Sequence, residues 1–288
     1  MAKRKKSPTP KSGRKPDRQN RSRSPQTGSG KLWLYGNHAV EAALANPRRQ
    51  KFRLLVNQDW KASFNASDVS IEPEFLARRD IERQLPPGAA HQGLALQVAP
   101  LEDSDIETIC RDADDNAIVV ILDQVTDPRN IGAIMRSATA FGVAAIIVPD
   151  KHTPEATAVL AKAASGALDR LPMARVTNLA RALGQLKEAG FWTVGLDADA
   201  SQTLAEAKLS GKLAIIMGAE GKGLRRLTAE NCDFLVKIPI APVADNLNVS
   251  AAAAITLYEI ARNTRGVERT NPHPQTVTTD FPKPLFPK

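Results

Sequence analysis

The fold is decided by one stretch of sequence, residues 117–138, which reads AIVVILDQVTDPRNIGAIMRSA. Its run Ile118–Leu122 is apolar at every position, which predicts a strand that is buried on both faces of a sheet. Pro128 and Asn130 favour a turn that enters a helix, and we expect that helix over residues 131–141. A fully buried strand followed by a helix indicates a parallel sheet of the α/β class.

The same alternation continues on the C-terminal side of this stretch. Strands are expected at 144–148, 192–196, 214–217 and 234–238, and helices at 154–164, 179–189 and 249–262. Continuously apolar strands separated by helices predict a mostly parallel sheet that is covered on both faces. We therefore assign residues 117–265 to one α/β domain.

A second, smaller α/β pattern precedes this domain, over residues 31–100. A helix is expected at 38–45, and strands are expected at 52–56 and 94–98, with a turn at 86–88 between them. Residues 101–116 are acidic and polar, which predicts a linker that carries a short helix. Residues 1–30 and 266–288 are left as tails.

The positive charge of the chain is concentrated in its first residues. Residues 1–31 contain 11 Lys or Arg and one Asp, whereas residues 32–288 have a net charge of −2. A segment rich in Ser, Pro, Lys and Arg buries too little apolar surface to fold alone, so we expect the tail 1–30 to be disordered. Its charge suits contact with nucleic-acid phosphates, and the alternative is an extension that only improves solubility. The tail 266–288 has five prolines and no periodicity, which also predicts disorder.

Composition argues against several classes of protein. No apolar run reaches the roughly 18 residues that a membrane helix needs, and no apolar region follows the basic N-terminus as it does in a secretory signal. Cys110 and Cys232 stand far apart, with no Cys or His at ligand spacing, which argues against a disulfide framework and a metal site. We expect a cytoplasmic protein with reduced thiols, no membrane partner and no metal.

Three polar segments directly follow predicted strands. They are residues 123–130, which lead into the helix that carries Arg136, residues 218–224 (GAEGKGL) and residues 238–251 (IPIAPVADNLNVSA). In a doubly wound sheet, ligands bind at the carboxyl ends of the strands. The position of these segments therefore predicts a functional site.

The glycine segment 218–224 differs from the dinucleotide-binding pattern. It reads G-x-x-G-x-G after a late strand, whereas the loop 123–130 after the first strand of the domain has no glycine. Both points argue against a Rossmann dehydrogenase and against the common Rossmann methyltransferase. Glycines allow a ligand to approach the backbone closely, although a tight turn has the same composition. In the third segment, Asn246 or Asn248 suits the N-cap of the last helix.

Taken in this order, the three segments resemble the SpoU/TrmH family of RNA ribose 2′-O-methyltransferases, in the SPOUT superfamily, over residues 117–264. Residues 35–44 and 91–93 look like the ribosomal-protein-like substrate-binding domain of many members. Residues 175–181 (RVTNLAR) are similar to the bacterial subgroup that methylates a guanosine of 23S ribosomal RNA. The resemblance thus implies RNA, and 23S ribosomal RNA in particular, as the substrate.

The resemblance also implies a knotted fold and a cofactor. The C-terminal part of the sheet would form a deep trefoil knot, and S-adenosylmethionine would bind in it. Matching positions assign Gly218, Gly221, Ile238, Leu247 and Asn248 to the cofactor, largely through main-chain groups.

The same matching places Asn130, Arg136, Glu220 and Asn248 among the polar residues of the active site. It also implies a homodimer with the site near the interface. Where many relatives have Ser, this chain has Asn246, which keeps hydrogen-bonding capacity but adds bulk.

Arg136 is the residue to which we assign the main positioning role. An unpaired buried guanidinium would be costly, so we expect Arg136 to meet a phosphate or, alternatively, an acidic residue in a structural ion pair. Because the pKa of a guanidinium lies far above neutral pH, we expect Arg136 to align the ribose hydroxyl by gripping its phosphate and not to act as a base. Two alternatives for the function stay open: transfer RNA as the substrate, and a non-catalytic RNA-binding ribosome-assembly factor.

Overall fold

The N-terminal part of the chain forms a four-stranded sheet in the computed structural model, which describes residues 30–62, 64, 69–151, 153–154, 157–219, 221 and 223–264. Its strands are β1 (Leu32–Tyr35), β2 (Lys51–Asn57), β3 (Pro73–Leu76) and β4 (Leu94–Val98), in the order β1-β4-β2-β3. Strand β4 pairs antiparallel with β1 and β2, and β2 pairs parallel with β3. Helix α1 (Asn37–Ala45) packs on one face of this sheet and α2 (Arg78–Glu82) on the other.

The remainder of the chain forms a seven-stranded sheet in the order β7-β6-β5-β10-β8-β11-β9. Its strands are β5 (Ile118–Leu122), β6 (Ala145–Pro149), β7 (Met173–Val176), β8 (Trp192–Leu196), β9 (Gln202–Thr203), β10 (Leu213–Met217) and β11 (Phe234–Lys237). Every pair of neighbouring strands in it is parallel. The predicted α/β class with a mostly parallel sheet is therefore confirmed.

Helices cover both faces of this sheet. They are α3 (Ile106–Arg111), α4 (Pro128–Ala140), α5 (Ala158–Ala164), α6 (Leu179–Glu188), α7 (Arg226–Glu230) and α8 (Val249–Thr264). Alternate residues of β5 enter different cores: Val120 packs with residues of α4, α5 and α8, whereas Val119 packs with residues of α3 and α6. This arrangement explains why the whole strand is apolar. No helix within the described ranges is long and apolar enough to cross a membrane.

Two predicted helix starts were wrong. Helix α4 begins at Pro128 and not at residue 131, because Asp127 caps it by accepting a hydrogen bond from the Arg129 N–H (2.8 Å) and proline suits the first helical position. Helix α5 begins at Ala158 and not at residue 154, because Thr157 is its N-cap. The short elements β1, β3, β7, β9, α2 and α7 have too few residues to show a period in the sequence.

The two sheets share one apolar core and a buried ion pair. Residues of β1, β2, β4 and α1 belong to the same core cluster as residues of β5, α4 and α5. Beside this core, Arg49 of the N-terminal part donates hydrogen bonds from Nε and Nη2 to the carboxylate of Asp169, at 2.7 and 3.0 Å. Asn46 donates to the main-chain oxygen of Asp169 as well, at 3.1 Å. These contacts fix the small sheet against the large one.

Candidate active site

The three predicted polar segments follow strands that lie close together in the large sheet. Strands β5 and β10 are neighbours, and β10 and β11 both pair with β8. Because these strands are parallel, their carboxyl ends lie at one edge of the sheet. The topology therefore brings the segments after β5, β10 and β11 to the same edge.

A cavity of about 250 Å³ opens at this edge. Its lining comes from the ends of β8, β10 and β11, from the segments that follow them, and from the start of α8. The residues are Leu196, Asp197, Ala198, Met217, Gly218, Ala219, Gly221, Gly223, Val236, Lys237, Ile238, Ile240, Asp245, Asn246, Leu247, Val249 and Ala252. Four of the five positions assigned to the cofactor from the sequence are among them: Gly218, Gly221, Ile238 and Leu247. Their role in binding stays a prediction.

The glycine segment forms a tight loop whose shape requires its glycines. Ala219 and Gly223 exchange two main-chain hydrogen bonds of 3.1 and 3.0 Å, and Gly221 and Gly223 have φ angles of 72° and 61°. A Cβ atom at Gly218 would lie 2.2 Å from the carbonyl carbon of Gly223. The main chain of Gly218 can therefore approach the opposite side of the loop only because it has no side chain.

Asn130 and Asn248 meet, although they lie 118 positions apart in the chain. The Asn248 side-chain amide donates a hydrogen bond to Oδ1 of Asn130 at 3.1 Å. The Oδ1 atom of Asn248 accepts from the Ser250 N–H at 2.9 Å and from its hydroxyl at 2.6 Å, so Asn248 caps the start of α8. Asn248 thus joins the first and third segments, but it is not among the residues that line the cavity.

Arg136 lies on the exposed side of α4, outside the cavity lining. The expected buried environment is wrong, and no acidic side chain in the described part of the chain forms an ion pair with Arg136. Its guanidinium is therefore available to a ligand from solution. Asn246 is exposed at the cavity wall. Glu220 lies outside the described residues.

Two acidic residues of this edge were not assigned a role from the sequence, although Asp123 opens the first predicted segment. Asp197 follows β8 directly and lines the cavity, and Asp123 follows β5 and is 1% exposed. Asp197 carries the same sequence signal as the three segments, a polar residue at the end of an apolar strand. The position of β8 between β10 and β11, which makes that signal relevant, is set by the sheet order.

Two family models match the chain. The model described as RNA 2′-O ribose methyltransferase substrate binding matches residues 33–104, and the SpoU rRNA Methylase family model matches residues 117–258. These matches, on a chain with a parallel sheet, a cavity at its strand ends and a small preceding sheet, define an RNA methyltransferase of the α/β class. The chain belongs to the SpoU rRNA methylase family.

Individual relatives narrow the comparison further. The 23S rRNA (guanosine-2′-O-)-methyltransferase RlmB of Photobacterium profundum is 40% identical over 238 residues, which is 80% of this chain and 96% of the relative. The protein of the same name from Escherichia coli (strain K12) is 40% identical over 240 residues, which is 80% of this chain and 97% of the relative.

Solved structures share the fold. The SpoU methyltransferase AviRb from Streptomyces viridochromogenes, crystallised with the cofactor AdoMet, has a TM-score of 0.67 at 24% identity, over 81% of this chain and 90% of that chain. An AdoMet-bound rRNA methyltransferase from Sinorhizobium meliloti has a TM-score of 0.65 at 23% identity, over 81% of this chain and 87% of that chain.

Proposed function

We propose that this protein transfers a methyl group from S-adenosylmethionine to the ribose 2′-hydroxyl of a guanosine in 23S ribosomal RNA. The observation that carries the proposal is the junction of the three segments at one sheet edge, where a glycine-walled cavity lies beside the Asn130–Asn248 contact. The curated relatives named for this reaction match 96–97% of their own length to this chain, which supports the same substrate here.

The lining of the cavity fits the chemistry of S-adenosylmethionine. Apolar side chains such as Leu196, Ile238 and Leu247 suit the adenine ring of the cofactor, and the carboxylates of Asp197 and Asp245 suit its positive charge. Gly218 and Gly221 leave main-chain groups accessible without side chains. When bound, the cofactor supplies an electrophilic methyl group on a sulfonium.

The role of Arg136 follows from its exposure and from the absence of an ion pair with any acidic side chain that the structure describes. A guanidinium has five N–H donors and no acceptor, so Arg136 does not act as a base. Its planar fork binds a phosphate with two hydrogen bonds, which fixes the neighbouring ribose and its hydroxyl. Arg136 thus orients the RNA, and the Asn130–Asn248 pair holds the start of α4 against the start of α8.

The small sheet is the part that we assign to RNA binding, as the domain over residues 31–100, separated by the linker 101–116 from the methyltransferase domain 117–265. Three cations of this part lie over aromatic rings: Lys31 over Phe52 (4.3 Å), Arg53 over Trp33 (5.8 Å) and Lys61 over Phe75 (5.7 Å). Positive groups interleaved with aromatic rings suit phosphates and bases. The charge of residues 1–31 adds affinity that does not depend on the RNA sequence.

Three further assignments belong to the same proposal. The C-terminal part of the large sheet forms a trefoil knot, which the family resemblance implies. The protein is a homodimer, and the exposed apolar side chains Ile255 (43%) and Tyr258 (56%) of α8 are candidates for its interface. The protein acts in the cytoplasm, which its similarity to ribosomal-RNA-modifying relatives supports.

The test of this function is a methylation assay with defined RNA. Purified protein is incubated with 23S ribosomal RNA, with transfer RNA, or with neither, together with methyl-labelled S-adenosylmethionine, and the modified ribose is mapped by primer extension. We expect label at one guanosine of 23S ribosomal RNA. Label on transfer RNA alone would refute the substrate, and RNA binding without any cofactor binding would favour the non-catalytic alternative.

The Arg136→Lys variant tests the proposed role of the guanidinium in the same assay. Lysine keeps the charge but lacks the planar fork, so we expect turnover to fall by about tenfold or more. Arg111→Lys on α3, which packs on the opposite face of the sheet, is the matched control. Near-normal turnover of Arg136→Lys would refute the role.

A further inference from the structure

One buried carboxylate beside the cavity has no role in the proposed function. Asp123 directly follows β5, and its side chain is 0% exposed. A carboxylate that is removed from water is costly unless charged or hydrogen-bonding groups compensate it. The partners of Asp123 therefore show what this buried charge maintains.

Among the described residues, the side-chain partners of Asp123 all follow the glycine segment. Nη2 of Arg225 lies 2.7 Å from Oδ1 of Asp123. The Thr228 hydroxyl donates to Oδ2 at 2.7 Å, and the main-chain N–H of Arg225 lies 3.4 Å from the same oxygen. The carboxylate thus holds the residues with which the chain leaves the glycine segment.

The main chain of Asp123 holds the other end of the segment. Its N–H donates a hydrogen bond of 2.7 Å to the carbonyl oxygen of Met217, the last residue of β10. One residue of the first segment therefore contacts the chain both immediately before and immediately after the glycine segment 218–224.

The glycine segment needs such support. Its glycines gain more conformational freedom on loosening than any other residue type would. The backbone beside Asp123 is also constrained, since Gln124 has a φ angle of 64°, which is uncommon for a residue with a side chain. Residues in such conformations persist where the surrounding structure fixes them.

We propose that Asp123 is a positioning residue that holds the glycine segment in the shape that binds the cofactor, acting through Arg225 and Thr228. The inference rests on the proposed function, because Gly218, Ala219, Gly221 and Gly223 line the cavity assigned to S-adenosylmethionine. Asp123 itself does not line that cavity and acts only through the loop.

The experiment compares the full-length wild type with Asp123→Asn, which keeps the volume of the side chain but removes its charge. Calorimetry with S-adenosylhomocysteine is expected to show a Kd raised by about tenfold or more, the size of one lost charge-assisted hydrogen bond. In steady-state assays we expect a higher KM for S-adenosylmethionine, with the KM for RNA and kcat changed much less.

Two further variants separate positioning from general stability. Asp169→Asn removes another buried carboxylate, one that does not line the cavity or contact the described residues of the glycine segment, so it should lower the thermal midpoint without changing the Kd, when binding is measured below the unfolding transition. Arg225→Met should weaken binding as Asp123→Asn does, whereas Arg225→Lys should retain more affinity than Arg225→Met. A wild-type Kd in Asp123→Asn, or an equal loss in Asp169→Asn, would overturn the inference.

Hydrogen exchange of the segment tests the structural part without any cofactor. The amides of Ala219 and Gly223, which donate hydrogen bonds across the loop, should exchange faster in Asp123→Asn than in the wild type. Unchanged exchange would overturn the inference even if the methylation assay succeeds. Faster exchange in a protein that neither binds nor uses S-adenosylmethionine would instead refute the proposed function and leave the support of the segment by Asp123 in place.

Discussion

Removal of the buried partner of Arg49 is expected to destabilise the whole protein. The Arg49 and Asp169 side chains are 1% and 2% exposed, and Asp169 accepts two hydrogen bonds from Arg49 and one from the Asn46 amide on its carboxylate. The variant Asp169→Leu leaves the Arg49 guanidinium buried without a counter-charge. The only acceptor it retains among its described partners is the carbonyl oxygen of Ala99, at 2.8 Å.

The expected magnitude follows from this burial. Breaking a buried ion pair by removing one partner costs about 3–5 kcal/mol, because the remaining charge is desolvated and unpaired. For a protein of this size, each kcal/mol lowers Tm by roughly 2–4 °C, so the expected decrease is about 6–20 °C. The double variant Arg49→Met with Asp169→Leu removes both charges and should recover most of the loss.

Thermal and urea unfolding of the two single variants and the double variant give a double-mutant cycle. The matched control is the Arg53–Glu74 pair, which has the same two-bond geometry (2.8 and 2.8 Å) but side chains that are 39% and 42% exposed. Water screens that pair, so Glu74→Gln should cost only about 0–1 kcal/mol. The reasoning is refuted if Asp169→Leu lowers the free energy of unfolding no more than Glu74→Gln does. It is also refuted if the double variant is as unstable as Asp169→Leu alone.

Three other predictions concern single residues. Gly218→Ala should abolish binding of S-adenosylhomocysteine in calorimetry, because the added Cβ would meet Gly223. The control is Gly184→Ala in α6, whose added Cβ meets nothing within 4 Å, and it should stabilise the protein by about 0.5–1 kcal/mol. Equal affinities of the two variants for S-adenosylhomocysteine would contradict this prediction. Burial raises the pKa of the Cys232 thiol to about 11. In a variant whose other cysteine is replaced by serine, the thiol should therefore react with a disulfide reagent at pH 8 at least about 100-fold more slowly in the folded than in the unfolded chain. Equal reaction rates of the folded and unfolded chains would be inconsistent with the burial of Cys232. Burial also lowers the pKa of His91, so the folded state binds a proton on this side chain less readily than the unfolded chain does. Neutral His91 therefore leaves the free energy of unfolding at its full value above pH about 6.5, and this free energy decreases as the pH falls below that value. Urea unfolding between pH 7.5 and 5.5 should therefore show a larger loss in the wild type than in His91→Asn, and parallel curves would argue against this.

Strands and their order illustrate the limits of prediction from the sequence. The bounds Ile118–Leu122, Trp192–Leu196 and Leu94–Val98 agree with the predicted strands, because apolar residues predominate in each of these short runs, and the first is apolar at every position. The order in which they pair is not contained in such runs. The placement of β8 between β10 and β11 depends on contacts among residues that are far apart in the chain, and it is this placement that brings Asp197 to the cavity.

Local patterns also predicted the three polar segments and the cap on α8, since a strand end and an N-cap are features of a few consecutive residues. The environment of Arg136 was predicted less well. The sequence shows that its helix is otherwise small and apolar, but it does not show which side of the helix faces the core, and Arg136 lies on the exposed side.

The sequence alone therefore determined the α/β class, the three segments at strand ends, the resemblance to a family of RNA methyltransferases and the basic tail, because each is written in consecutive residues. Only the tertiary structure decided that Asn130 meets Asn248, that Asp123 contacts the chain on both sides of the glycine segment, and that Arg49 is neutralised by Asp169. Asn130 and Asn248 lie 118 positions apart, Asp123 and Thr228 lie 105 apart, and Arg49 and Asp169 lie 120 apart. Such contacts form only after the apolar strands and helices have packed into one core.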